Sequence, residues 1–367
     1  MMPWRTLGRV LLPGIVLQSV VVAGAYGTGL EVLQWVTSQG PSGGFLAVSS
    51  IALALGITLA LTFDLARRHN THDYRRFFRV LLGRAWWLYE VVFVAALVLL
   101  LAVGAAAAGE VVADSLSWPH WVGVLLMLLI IVVLNYLGRD WVDRSLVAWG
   151  ILMSVLLLAL VVAVLYQDRE SIAVVISESE MSAARAAGSG LQFFLYMAII
   201  VPPMLYAAIH LKSTAECWAA GLMGGILVAL PSLAYHIAFL AYFPEVLEQV
   251  LPTYWLLQQF AVPGIIEIYT VVLFVTIAQT GVGVLQGVNE RLDNWWRERS
   301  GRPLSRRLHG GIAGLAVLAS LLIARFGIAN LVARGYGSLA WVSLALFILP
   351  LVVMTLRRNT APTPPGH

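Results

Sequence analysis

Apolar runs of about 20 residues recur along the whole chain, separated by short clusters of charged and turn-forming positions. Each run is long enough to cross a hydrocarbon core of roughly 30 Å as a helix. The pattern predicts ten spans, at 10–38, 43–66, 86–112, 119–138, 145–166, 189–211, 217–242, 258–288, 309–333 and 336–356. The eighth is long enough that part of 258–264, around Pro263-Gly264, reads as an entry loop. The longest connections, 67–85, 167–188, 243–257 and 289–308, leave no room for a soluble domain. The expected fold class is therefore an all-α polytopic membrane protein.

Two spans are interrupted. Gly24-Ala25-Tyr26-Gly27-Thr28-Gly29 breaks the first, and Pro202-Pro203 breaks the sixth, each about thirteen to fourteen residues into its run. Backbone that does not close its own hydrogen bonds is tolerated at membrane depth only where protein or a watery cavity supplies partners. Matching breaks in two halves of a membrane chain are a pointer to a transporter binding site. Ten spans divide into five plus five. An odd repeat must insert upside down the second time, so the breaks fall in the first helix of each half of an inverted repeat. The expected organisation is a first repeat over 1–166, an outer connecting segment over 167–188, a second repeat over 189–356, and a polar, disordered tail over 357–367.

Composition agrees: 60% of residues are hydrophobic, 11% are charged, and the mean hydropathy is +0.85. With the N-terminus inside, cytoplasmic segments hold 19 of the 23 Lys and Arg residues, which orients the chain in the cytoplasmic membrane with both termini inside. The net charge of +4 follows from that asymmetry and gives no argument for nucleic acid. The apolar run reaching Ala25 outlasts a usual signal core, and cleavage there would destroy the first break, so it reads as a retained span. The single cysteine, Cys217, forms no intramolecular disulfide. Segment 70–84 places four arginines among Tyr74, Phe77, Phe78 and several leucines. It reads as an amphipathic surface helix whose basic side meets lipid headgroups. Segment 243–257 reads as a short outer helix or lid.

The chemistry is sparse. A broken helix offers amides to an anion and carbonyls to a cation. Gly24, Gly27 and Gly29 let the backbone unwind, Thr28 adds a hydroxyl, and Glu31 is an intramembrane carboxylate directly after the break. Its competing role is a structural cap or an arginine partner. Val201, Pro202 and Tyr206 stand at the second break. Thr276, Gln279 and Thr280 share one face of span 8 and supply oxygens for a cation, or simply bond back to their own helix. His236 is a proton-relay candidate against a packing role. Arg325, placed inside span 9, calls for a partner. No clustered histidines suggest a metal, no nucleophile motif an enzyme, and no phosphate loop ATP.

The run Ala23-Gly24-Ala25-Tyr26-Gly27-Thr28-Gly29-Leu30-Glu31 resembles the first-span motif of the YkvI-like membrane proteins, bacterial members of the amino acid–polyamine–cation superfamily. Thr280-Gly281-Val282-Gly283 with Asn289-Glu290-Arg291 is similar to that family too. The resemblance implies a LeuT-type fold, with spans 1, 2, 6 and 7 as a bundle and spans 3, 4, 8 and 9 as a scaffold. It implies a substrate seat at Gly24, Tyr26, Thr28, Gly29 and Glu31 facing Val201, Pro202 and Tyr206. It also implies a sodium site from the carbonyls of Ala23 and Tyr26 with Thr276 and Thr280. Gln279 departs from the small hydroxyl residue common there in sodium-coupled relatives, and span 5 lacks the lysine that replaces the ion in proton-coupled or uncoupled relatives. Sodium, and protons through Glu31, both stay open as coupling ions. The expected function is alternating-access transport of a small solute, an amino acid or related zwitterion or amine, with membrane lipid as the surrounding partner and the oligomeric state open. A non-transporting sensor or partner-binding protein with the same fold, and an intramembrane enzyme built on Glu31 or Glu267 with His236, are the alternatives.

Overall fold

The computed structural model describes residues 4–24, 26–137, 139–260, 264–302 and 306–359, and among them every regular element is helical. The first half contains α1 (Trp4–Gly24), α2 (Leu30–Trp35), α3 (Pro41–His69), α4 (Tyr74–Leu82), α5 (Trp87–Leu116), α6 (His120–Leu137) and α7 (Arg139–Ser177). The second contains α8 (Ala183–Ala198), a 3-10 segment (Pro202–Ala208), α9 (Thr214–Leu240), α10 (Pro252–Gln259), α11 (Ile265–Ser300) and α12 (Arg306–Ala324). A final helical path runs through α13 (Ile328–Asn330), α14 (Gly337–Ser343) and α15 (Leu349–Asn359), joined by π-helical turns at Leu331–Tyr336 and Leu344–Ile348. Among the described residues six helices are long and apolar enough to cross a membrane, and a seventh span is the bent pair of α8 and the 3-10 segment. Leu7–Val21, His120–Val133 and Gly314–Ala324 are shorter apolar stretches.

The helices pack in two groups. α3 and α9 form the tightest pair, with α1 and α8 against them; α5, α6, α11 and α12 form the second group, and α1 meets α11 across the boundary. These are the helices assigned above to bundle and scaffold. Sequence explains the first contact directly. Gly221 and Gly225 lie four apart on α9 and face Ala52, Gly56 and Ala60, also four apart, on α3. Lipid tails are as apolar as leucine, so helices associate in a bilayer through close van der Waals contact, which small residues permit. α1 crosses α9 by the same means, Gly14 against Gly224.

Several sequence expectations are corrected. The second interruption is not at the prolines. α8 ends at Ala198, the turn occupies 199–201, and Pro202 opens the 3-10 segment after a 75° bend. Proline lacks an N–H and is preset for the first turn of a helix, so it starts the second arm rather than breaking the first. Helix α7 continues past residue 166 to Ser177, bent at Asp168 (φ −121°, ψ 15°), so the outer connection is partly helical. Arg325 follows the end of α12 rather than lying inside it, and is exposed on the surface of the protein. On α4, whose N-cap Asp73 accepts from the amides of Arg75 and Arg76 at 3.1 Å, Arg76 and Arg79 are exposed as expected. Arg75 is not: its Nε lies 2.9 Å from Glu90 Oε1, and Arg291 reaches Glu90 Oε2 at 3.1 Å.

Candidate functional site

The first break falls where the glycines place it. α1 stops at Gly24, Tyr26–Gly29 are non-helical, and α2 starts at Leu30; Ala25 and the Ala23 side chain lie outside the described residues. Gly29 has φ 77°, a left-handed conformation that favours glycine, and its N–H donates to Tyr26 O at 3.2 Å. The freed carbonyls are taken by donors from other helices. Tyr269 of α11 donates its hydroxyl to Gly27 O at 2.9 Å. Thr253 of α10 donates its hydroxyl to Thr28 O at 2.9 Å and its amide to the same oxygen at 3.4 Å. The Tyr26 side chain is buried; its hydroxyl accepts from Ser232 Oγ at 2.7 Å and reaches Val228 O at 3.3 Å.

The second break is held in the same way. Tyr89 of α5 donates its hydroxyl to Ile199 O at 2.6 Å. Each interrupted helix therefore has a carbonyl capped by a tyrosine from the second helix group: Tyr269 for the first, Tyr89 for the second. The breaks are neighbours in space, because the Tyr26 hydroxyl lies 3.6 Å from Met197 Sδ and α1 packs on the 3-10 segment. Buried Val201 and Pro202 stand at this junction. Tyr206 does not: it is 58% exposed on the far arm, with its hydroxyl 3.9 Å from Met204 Sδ.

Glu31 is the acidic group of the site. It is 2% exposed, and among the described residues Oε2 has no hydrogen-bond partner. Three residues before it, Thr28 Oγ1 accepts from Leu30 N at 3.3 Å. Five buried tyrosines, Tyr26, Tyr196, Tyr235, Tyr269 and Tyr336, lie within the electrostatic range of Glu31. Beside it runs an aromatic ladder: Trp35 stacks on Phe193 (6.4 Å), Phe193 on Tyr196 (6.2 Å), and Tyr196 on Tyr336 (4.0 Å). The outer face of α2 borders an open cavity of about 550 Å³, lined among others by Leu33, Gln34, Trp35, Glu248 and Ala329. A second, apolar cavity of about 230 Å³ lies between α7, α9, α10 and α11.

The span 8 hydroxyls bond back to their own helix, which is compatible with either expected role, since a donating hydroxyl still carries acceptor lone pairs. Thr276 Oγ1 donates to Val272 O at 2.7 Å and Thr280 Oγ1 to Thr276 O at 2.9 Å; the Gln279 side chain lies outside the described residues. His236 is a satisfied packing histidine: Nε2 is 2.9 Å from Pro41 O and Nδ1 is 3.1 Å from Thr37 Oγ1. Exposed Glu267, in the first turn of α11, stands apart from it. Sequence reasoning missed Thr253, Tyr269, Tyr89 and the ladder. Only Phe193 and Tyr196, three apart on one helix, carried a local signal.

Two expected results follow from the capped break. Tyr269→Phe strips the donor from a buried carbonyl and costs about 1–3 kcal/mol, read as a lower melting temperature of the purified protein. Gly29→Ala puts a side chain at positive φ, and its Cβ lies 2.8 Å from the Phe239 ring and closer still to the Thr253 hydroxyl. The left-handed conformation alone costs about 1–2 kcal/mol. Both variants melt earlier than wild type; a melting temperature unchanged in both would show the capped geometry to be unimportant.

No protein-family model and no curated protein matches the sequence, so the YkvI-like resemblance stands on its motif alone. Solved structures do match. MhsT in complex with L-phenylalanine superposes with a TM-score of 0.62 at 16% identity, over 94% of this chain and 88% of that one. A Na+-coupled sialic acid symporter in a substrate-bound outward-open state gives 0.60 at 13% identity, over 95% and 82%. A manganese transporter of Eremococcus coleocola gives 0.52 at 14% identity, over 95% and 79%. At these identities the likeness is one of fold, and the fold is that of LeuT-type transporters.

Proposed function

We propose that this chain is a secondary transporter that moves a small solute, an amino acid or amine, across the cytoplasmic membrane by alternating access. The observation that carries the reading is the pair of adjacent broken helices, each with a carbonyl capped by a tyrosine of the other helix group. In a ten-span, five-plus-five reading, Tyr89 sits in span 3 and Tyr269 in span 8, which are equivalent positions of an inverted repeat over 1–166 and 189–356. The solute seats at Gly24, Tyr26, Thr28, Gly29 and Glu31, against Val201 and Pro202. Tyr206 belongs to the arm that opens toward the arginine-rich end. Both termini lie at that end, in the cytoplasm.

We take protons, through Glu31, as the coupling ion, on the ground that Glu31 Oε2 is buried and without a hydrogen-bond partner among the described residues. Thr276 and Thr280 donate to their own helix and Tyr26 O accepts from Gly29 N, but donating hydroxyls and singly bonded carbonyls still carry lone pairs able to take a cation, so these bonds do not decide against sodium. The fold alone selects no substrate, since its neighbours hold solutes as unlike as L-phenylalanine and sialic acid. The test is uptake of amino acids and amines into proteoliposomes, driven in turn by a pH gradient and a sodium gradient. The account expects uptake driven by the pH gradient and unchanged when sodium is replaced by potassium. Uptake that requires sodium and is lost in Thr280→Ala reverses the assignment of the ion. Binding without uptake shifts the function to a sensor.

A further inference from the structure

Protein interiors hold few voids larger than a water molecule. The cavity of about 230 Å³ between α7, α9, α10 and α11 is such a void, lined by apolar side chains together with Tyr235, Thr253 and Tyr269. An apolar cavity of about 150 Å³ stays dry and admits an apolar molecule, so hydrocarbon rather than water suits this one. Its wall has two parts. Leu160, Tyr235, Leu257 and Tyr269 form a buried inner side. On the rim Ala163 of α7 and Ile265 of α11 are half-buried and Ala159 is exposed. Beside them Leu158, Val162 and Ile268 face outward. Among the described residues α7 is also the long span least covered by protein, with 22% of its apolar stretch buried against 28–50% for the other five. An apolar rim on two membrane-spanning helices opens into lipid tails. The cavity therefore continues the surface that the bilayer covers.

The polar groups in that wall are the ones that brace the first break. Thr253 Oγ1 donates to Thr28 O and the Tyr269 hydroxyl to Gly27 O, both at 2.9 Å. Tyr235 stands against Gly29, its ring 3.4 Å from where a Cβ on that glycine would lie. Among the described residues the cavity shares no lining residue with the open cavity beside α2. We infer that it binds one acyl chain of a membrane phospholipid, entering between α7 and α11, and that the bound chain holds Thr253 and Tyr269 on the carbonyls of the break.

The test places the purified full-length protein in vesicles of phosphatidylcholine that carries a diazirine on one acyl chain. After irradiation the labelled residues are mapped by mass spectrometry. Leu129 of α6, 60% exposed, reports ordinary contact with lipid. The expected result is label on buried Tyr235, Leu257 or Tyr269 as well as on Leu129. In Ala163→Phe, which fills the cavity from its rim, label on the inner side falls about tenfold or more while Leu129 is unchanged. Ala159→Phe takes its place where that variant fails to fold. An inner side left unlabelled in wild type beside a labelled Leu129 overturns the site. Inner label that persists in the filled variant overturns the route through this cavity, and stronger inner label from free diazirine-palmitate overturns the phospholipid as its source. The bracing is read as melting temperature in lipid discs of linear-chain or branched-chain phosphatidylcholine, since a ligand of the folded state raises it by mass action. Wild type melts later with linear chains, which fit the cavity, and Ala163→Phe melts alike in both. A chain-shape effect absent from wild type, or equal in the two proteins, overturns the bracing.

Discussion

Glu31→Gln abolishes solute uptake by the reconstituted protein and leaves its fold intact. The substitution keeps shape and hydrogen-bonding reach but removes the ability to take and release a proton. Because Oε2 has no partner among the described residues, little stabilising interaction disappears with it, and the melting temperature without ligand stays near the wild-type value. Uptake falls by about 100-fold or more, because the group that takes the proton or pairs with the solute is gone; a charge-assisted contact of about 1.5–3 kcal/mol accounts for most of that loss. Uptake and melting temperature measured on the same preparation decide the matter. Retained uptake with a lowered melting temperature would make Glu31 a structural cap of α2.

The largest effect on stability is expected from Gly225→Leu. A Cβ there falls 2.7 Å from Gly56 Cα and against the Ala52 carbonyl, so backbone rather than a mobile side chain stands in the way. Overpacking a core costs about 1–3 kcal/mol where side chains can yield. Here α3 and α9 must separate, and the cost exceeds that range. The variant elutes aggregated or melts far below wild type. Gly188→Ala is the control: nothing lies within 4 Å of its Cβ, and its melting temperature stays at the wild-type value or rises. Equal behaviour of the two variants would mean that α3 and α9 do not meet as described.

The interruption of the first span was legible because its cause is local. Three glycines within six residues are a property of the backbone itself, and they end α1 at the expected place. The second was misplaced by three residues because proline was read as the breaker; the bend precedes Pro202, which starts the next turn. The carboxylate at 31 was visible as an oddity of composition, but its lack of a partner was not. That lack depends on what helices distant in sequence bring near it. Thr253, Tyr89 and Tyr269 were invisible for the same reason: each caps a carbonyl far away in sequence, and nothing in its own neighbourhood marks it. Arg75 shows the converse error. Its position in a basic amphipathic helix suggested lipid headgroups, whereas Glu90, fifteen residues on, claims it. Sequence displays charge readily and pairing hardly at all.

The central claim is that the two broken helices line one path opened from alternate sides. The direct measurement is thiol accessibility in proteoliposomes, on a Cys217→Ser background, of Leu33→Cys beside the open cavity and Val201→Cys at the second break. Both positions are buried or nearly so in this conformation. A membrane-impermeant reagent is applied from each face, before and after a pH step. The account predicts reciprocal change: conditions that speed labelling of position 33 from one face slow labelling of position 201 from the other. Rates that stay fixed, or rise together at both positions, would contradict alternating access.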